Sequence, residues 1–169
     1  MKRIAEILGL PDDVTRFAEL EKNVKAVFLA HFVTPTGQLV SSTQTANVLA
    51  IHFDMLPEAF QKIAAENLVR DIKARDYHIS TGFLGTPYIL HALEKTGNLD
   101  IAYRLLEQKT FPSWLFPITN GATTIWERWD GWTPEKGFQN KGMNSFNHYA
   151  LGAVGDWLYR SVAGLDIQR

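Results

Sequence analysis

The sequence predicts an all-α fold built from antiparallel helical hairpins. Apolar residues recur at helical spacing through most of the chain, Pro and Gly interrupt the stripes at short intervals, and no stretch shows convincing period-2 alternation. Helices paired in this way, with a long irregular loop to carry function, point to an α/α solenoid or toroid. Periodicity by itself does not separate that arrangement from an irregular bundle.

The first marked helix runs from Pro11 to Phe32, where Val14, Phe17, Ala18, Val24, Val27, Phe28 and Ala30 largely keep helical spacing. Pro11 suits the first turn, and Asp12 and Asp13 complement the positive end of the helix dipole. Thr34-Pro-Thr-Gly37 is turn chemistry, after which Ser41, Ser42 and Thr43 offer N-caps for a helix through Ala46, Leu49, Ala50 and Phe53. Pro57 opens the next helix, with Phe60, Ile63, Ala64, Asn67, Leu68 and Ile72 on one stripe. The glycine-containing segment His78 to Thr86 precedes Pro87, which is expected in the first turn of a helix to about Lys95, with Gly97 just past its end. Leu99 to Glu107 completes that hairpin. From Thr110 to Asn144 the periodicity vanishes among prolines and glycines, and a loop this long in a compact domain is either functional or evidence against the assignment. A last helix is expected from Ser145, a plausible cap, to Ala163, with Gly164 as its stop.

The length of 169 residues and an apolar share of 46% suffice for one domain with a real core, and residues 1–169 are read as a single helical domain. A formal charge of −1 without a lysine or arginine run argues against nucleic acid and against an anionic membrane surface as partners. There is no cysteine, so neither a disulfide framework nor a thiolate metal site is available, and the compartment stays open between cytosol and a disulfide-free secreted or periplasmic setting. The opening MKRIAEILGL starts like a leader, but Glu6 and Pro11 break its apolar stretch, so it reads as mature sequence.

All five tryptophans fall between Trp114 and Trp157, which places the expected function in the C-terminal third. Flat rings suit the apolar faces of sugars. Within Gly121-Ala-Thr-Thr-Ile-Trp-Glu-Arg-Trp-Asp-Gly131, Glu127 sits between Trp126 and Trp129, with Trp132 following. Apolar rings around a carboxylate are a setting for acid or base work, although Glu127 could equally pair with Arg128 or an upstream arginine. In Met143-Asn-Ser-Phe-Asn-His-Tyr149, Asn144, Asn147 and His148 could bond sugar hydroxyls, or serve as caps and a satisfied core histidine. The remaining histidines are scattered without HExxH-like spacing, so no metal is expected, and the absence of a GxSxG elbow argues against serine-nucleophile chemistry.

Together, Ser80-Thr-Gly-Phe-Leu-Gly-Thr-Pro87, Pro112-Ser-Trp114, Gly121 to Gly131 and Met143 to Tyr149 resemble the ordered motifs of the bacterial α-L-rhamnosidases of glycoside hydrolase family 78. Ala153-Val-Gly-Asp-Trp-Leu-Tyr-Arg160 is similar to that family's closing helix. The resemblance implies part of an (α/α)6 toroid, the six-hairpin glycosidase fold, acting on terminal α-L-rhamnose with inversion and without a cofactor. It implies Glu127 as general base, His148 as a sugar contact, and Trp126, Trp129, Trp132 and Asn147 as pocket residues. An inverting enzyme needs a second carboxyl group as acid. In the family that acid lies upstream of the matching segment, so this chain alone is expected to be catalytically incomplete. A partial ring exposes hairpin faces, which predicts dimerisation through them or packing against missing hairpins. The alternatives are a carbohydrate-binding remnant without catalysis and a helical protein-interaction scaffold.

Overall fold

The computed structural model describes residues 1–166, so the last three residues of the expected 1–169 domain lie outside it. Three helical hairpins follow one another. They pair α1 (Lys2–Ile7) with α2 (Pro11–Phe32), α3 (Gln44–His52) with α4 (Glu58–Ala74), and α5 (Ile89–Lys95) with α6 (Leu99–Leu106). α3 also packs on α5, and α5 on α8 (Val154–Trp157), so the hairpins stack sideways as in an arc of α/α repeats. No helix among the described residues is long and apolar enough to cross a membrane.

Local chemistry accounts for the boundaries. Pro11 occupies the first turn of α2, with Asp12 and Asp13 beside it. Of the three candidate caps for α3, Thr43 serves, its hydroxyl accepting the Ala46 N–H at 3.2 Å. α4 starts one residue after Pro57, and its Ala64, Leu68 and Ile72 stripe is buried. α5 departs from expectation, beginning at Ile89 and not at Pro87. The Thr81 and Thr86 hydroxyls lie 2.8 Å apart and Thr86 Oγ1 donates to the Gly82 carbonyl at 2.8 Å, folding the segment before α5 into turns that hold Pro87 outside the helix.

The core lies where α3 to α6 face one another through Val48, Ile51, Leu68, Ile72, Ile89, Leu93, Ile101 and Leu105, and Trp114 and Trp157 close it. Each buried leucine or isoleucine side chain contributes about 1.5–3 kcal/mol. α2 contributes no buried residue. Among the described residues, Phe28, Leu29 and Val33 at its end touch the core, while Leu20 (55% exposed) and Val27 (56%) leave an exposed apolar face.

The turn between α2 and α3 depends on Gly37, whose φ is +82° and whose added Cβ would stand 2.5 Å from the Phe60 ring. Gly37→Ala is therefore expected to destabilise the fold by about 1–3 kcal/mol through strain and overpacking. A fall in the urea midpoint with unchanged slope would show it, and an unchanged midpoint would contradict it.

On the side where α5 meets α8, Asp156 Oδ2 lies 3.0 Å from His91 Nε2, and its Oδ1 accepts from Arg160 Nε at 2.8 Å. Burial works against the Asp156 charge, yet the bonds from Arg160 and His91 outweigh it and hold the carboxyl below its usual range.

The C-terminal third is more structured than its composition predicts. It contains α7 (Leu115–Thr119) and a two-stranded hairpin, β1 (Trp132–Thr133) with β2 (Gly137–Phe138), a small addition to an otherwise helical fold. The expected helix from Ser145 to Ala163 starts only at Ala150, as a 3-10 turn that continues into α8 and a π turn over Leu158–Val162. Ser145 does not cap it, because the turn begins only at Ala150 and the Ser145 hydroxyl accepts the Asn147 N–H at 3.2 Å, while both of its main-chain groups are bonded to Glu127.

Candidate active site

Glu127 is held at three points by a segment about twenty residues further on. Its N–H donates to the Ser145 carbonyl at 2.9 Å, its Oε2 accepts the Ser145 N–H at 2.8 Å, and the neighbouring Ile125 carbonyl accepts the His148 N–H at 2.9 Å. The Thr124 hydroxyl adds a bond to the Phe146 carbonyl. This ladder fixes the carboxylate with one oxygen occupied, and no bond to the other, Oε1, is found among the described residues. Pairing with Arg128, open on sequence grounds, does not occur. Arg128 instead grips Asp130 with two bonds, at 2.9 and 3.1 Å.

Glu127 and Trp129 share the wall of a cavity of about 650 Å³ with the segment from Arg75 to Phe83 and with Phe111, Pro112 and Met143. Three contacts position this wall. The buried Gln44 side chain donates to the His78 carbonyl at 3.2 Å and accepts the Ser80 N–H at 2.8 Å, while the Trp129 indole donates to the Thr81 carbonyl at 2.9 Å. Trp129 also meets Trp114 edge-on, with centroids 5.6 Å apart. Asp130 is the other carboxylate on the cavity, and both its oxygens accept from Arg128. Among the described residues no cluster of three or more His, Cys, Asp or Glu is placed to hold a metal ion.

The other expected site residues lie apart from this cavity. Trp126 is buried against Phe146 at 5.2 Å, and with Trp132 it lines a different cleft. Asn147 is exposed. His148 is half-buried and stacked on Tyr149 at 5.3 Å. Its Nδ1 accepts the Ala150 N–H at 3.2 Å, which puts its proton on Nε2 and makes that atom a donor. Motif spacing did not single out His78 and Phe111 as cavity residues. They come from two separate segments that only the folded chain brings together.

Asn144 braces the arrangement, donating from Nδ2 to the Gly131 carbonyl at 2.9 Å and to the Gln139 carbonyl at 3.4 Å. Its Oδ1 is buried with no hydrogen-bond partner among the described residues and would stand 2.8 Å from a Cβ at position 131, so Gly131 makes room for it. Asn144→Ala is expected to cost about 1–2 kcal/mol and to speed hydrogen exchange at the adjoining Ser145 amide. Unchanged protection of that amide would remove Asn144 from this role.

Stacked helical hairpins are thus followed by loops that carry a carboxylate and tryptophans. Residues 1–162 match the bacterial alpha-L-rhamnosidase 6 hairpin glycosidase domain. The chain belongs to that family. It is 48% identical over 163 residues to an alpha-L-rhamnosidase of Streptomyces avermitilis, a match covering 96% of this chain and 16% of that protein. A second alpha-L-rhamnosidase, from Formosa agariphila, is 42% identical over 164 residues, covering 96% of this chain and 18% of the relative. The chain thus spans less than a fifth of the length of these curated relatives. The crystal structure of the S. avermitilis enzyme complexed with L-rhamnose superposes with a TM-score of 0.92, over 96% of this chain and 16% of that one. The native Aspergillus terreus enzyme gives 0.90 at 37% identity, over 95% and 19%.

Proposed function

We propose that this chain supplies the general-base part of an α-L-rhamnosidase site and binds terminal α-L-rhamnose. The observation that carries the reading is the Glu127 carboxylate, pinned through Oε2 by the Ser145 N–H on the wall of a cavity that Trp129 shares. One oxygen is anchored, and the other is left to take a proton from water attacking the anomeric carbon. Trp129 offers a ring face to the sugar, and the His148 Nε2–H offers a donor to a hydroxyl beyond the cavity, where Asn147 is also exposed. The acid that completes inversion comes from a part of the enzyme outside this sequence. The described residues act as one unit, and the exposed α2 face, with Leu20 and Val27, meets either further hairpins of the ring or a second copy of the chain.

Calorimetric titration with L-rhamnose tests the binding half of this reading. Saturable binding is expected, weakened about tenfold by Trp129→Ala and by His148→Ala. An absence of heat up to about 50 mM sugar would sink it, since even a Kd of that order is measurable. Binding that persists with no Glu127-dependent chemistry would favour the carbohydrate-binding remnant.

A further inference from the structure

The Glu127 segment has a second cleft, of about 310 Å³, and no residue lines both it and the Glu127 cavity. Its main wall is a pair of rings. Trp132 and Phe138 are direct partners across the β1–β2 hairpin, which puts their side chains on one face of the ribbon. Phe146 stands edge-on behind Phe138, with centroids 5.3 Å apart. Phe138 is 74% exposed at the hairpin, an arrangement that core packing does not account for. Asn120 and Thr123 line the same cleft. Asn120 uses its Nδ2 on the Phe116 carbonyl, while its Oδ1 and the Thr123 hydroxyl take no bond among the described residues.

We propose that this cleft is a second carbohydrate-binding site, which takes one neutral pyranose ring of the same glycoside whose terminal rhamnose meets Glu127. Three properties select that ligand. Aromatic rings lining a cleft together with an amide oxygen and a hydroxyl match a pyranose, which has C–H faces and a hydroxyl rim. No Asp, Glu, Lys, Arg or His lines the cleft, which disfavours uronates, phosphates and cationic ligands. The volume suits one sugar ring. The placement of this ring in the same glycoside rests on the proposed rhamnose binding; the cleft's affinity for a pyranose does not.

The indole N–H signals of a 15N-labelled chain, assigned by substitution, report the two sites separately, because Trp129 lines one and Trp132 the other. Methyl β-D-glucopyranoside, whose equatorial substituents leave both faces apolar, is expected to shift Trp132 saturably and to leave Trp129 unmoved. L-rhamnose is expected to shift Trp129. Phe138→Ala, safe for folding because the ring is exposed, is expected to weaken the glucoside response about tenfold while the rhamnose response at Trp129 stays as it was. A Trp132 signal unmoved up to about 50 mM glucoside, or a response indifferent to Phe138→Ala, would overturn the second site. If Trp132 moves with the glucoside and Trp129 ignores rhamnose, the proposed function fails and the second site stands.

Discussion

Replacing Glu127 by glutamine is expected to lower the hydrolysis of α-L-rhamnosyl fluoride by at least about a thousandfold, within the range general-base catalysis supplies. The fluoride isolates the base. Fluoride departs without a proton, so a chain lacking the acid still needs a carboxylate to activate water on the opposite face of the ring. An aryl α-L-rhamnoside, whose leaving oxygen is a poorer leaving group and calls for an acid, is expected to stay intact with either form of the chain. The Glu127→Gln substitution is nearly isosteric. The new side-chain amide would keep an oxygen to accept the Ser145 N–H, so loss of rate could not be assigned to loss of the ladder. Equal fluoride hydrolysis by both forms would remove Glu127 as the base, and Glu127-dependent turnover of the aryl glycoside would show that the chain holds an acid as well.

The largest effect on stability is expected from Trp157→Ala. Trp157 is 1% exposed, its indole donates to Glu94 Oε2 at 2.8 Å, and it meets Tyr103 edge-on at 5.4 Å. It therefore joins α8 to both α5 and α6. Truncation opens a cavity and leaves Glu94 Oε2 with the Ser161 hydroxyl, at 2.6 Å, as its remaining donor. The expected cost is about 3–5 kcal/mol, a large share of the roughly 5–15 kcal/mol that holds a domain folded. For a chain of this size the melting temperature should fall by about 10 °C, as followed by circular dichroism. A fall under about 3 °C would mean that α8 is held chiefly by other contacts.

The helical part of the fold is legible because its information is local. The α4 stripe of Ala64, Leu68 and Ile72, the Thr43 cap and the Pro11 start all act within a few residues of themselves. Pro87 misled by two residues because a pair of threonine hydroxyls wound the preceding segment into turns, and no helical period records that. In the candidate site, Glu127 was identifiable as a candidate carboxylate from its aromatic neighbours. Its real partner was not, because Ser145 lies 18 residues away and binds through its main chain. Ser145 read as a helix cap for the same reason, since sequence shows the hydroxyl and not the destination of the N–H. The adjacent tryptophans looked like one pocket, but folding sends Trp129 to the Glu127 cavity and Trp126 and Trp132 to the other cleft.

The Glu127 carboxylate is anchored by a main-chain amide, a group that every amino acid except proline possesses. Position 145 can therefore drift among residue types without moving the carboxylate, whereas proline there would remove the donor outright. Mutational tolerance at this position and strict geometry at Glu127 are thereby compatible, and the surrounding loop can change in sequence while the carboxylate stays where it is.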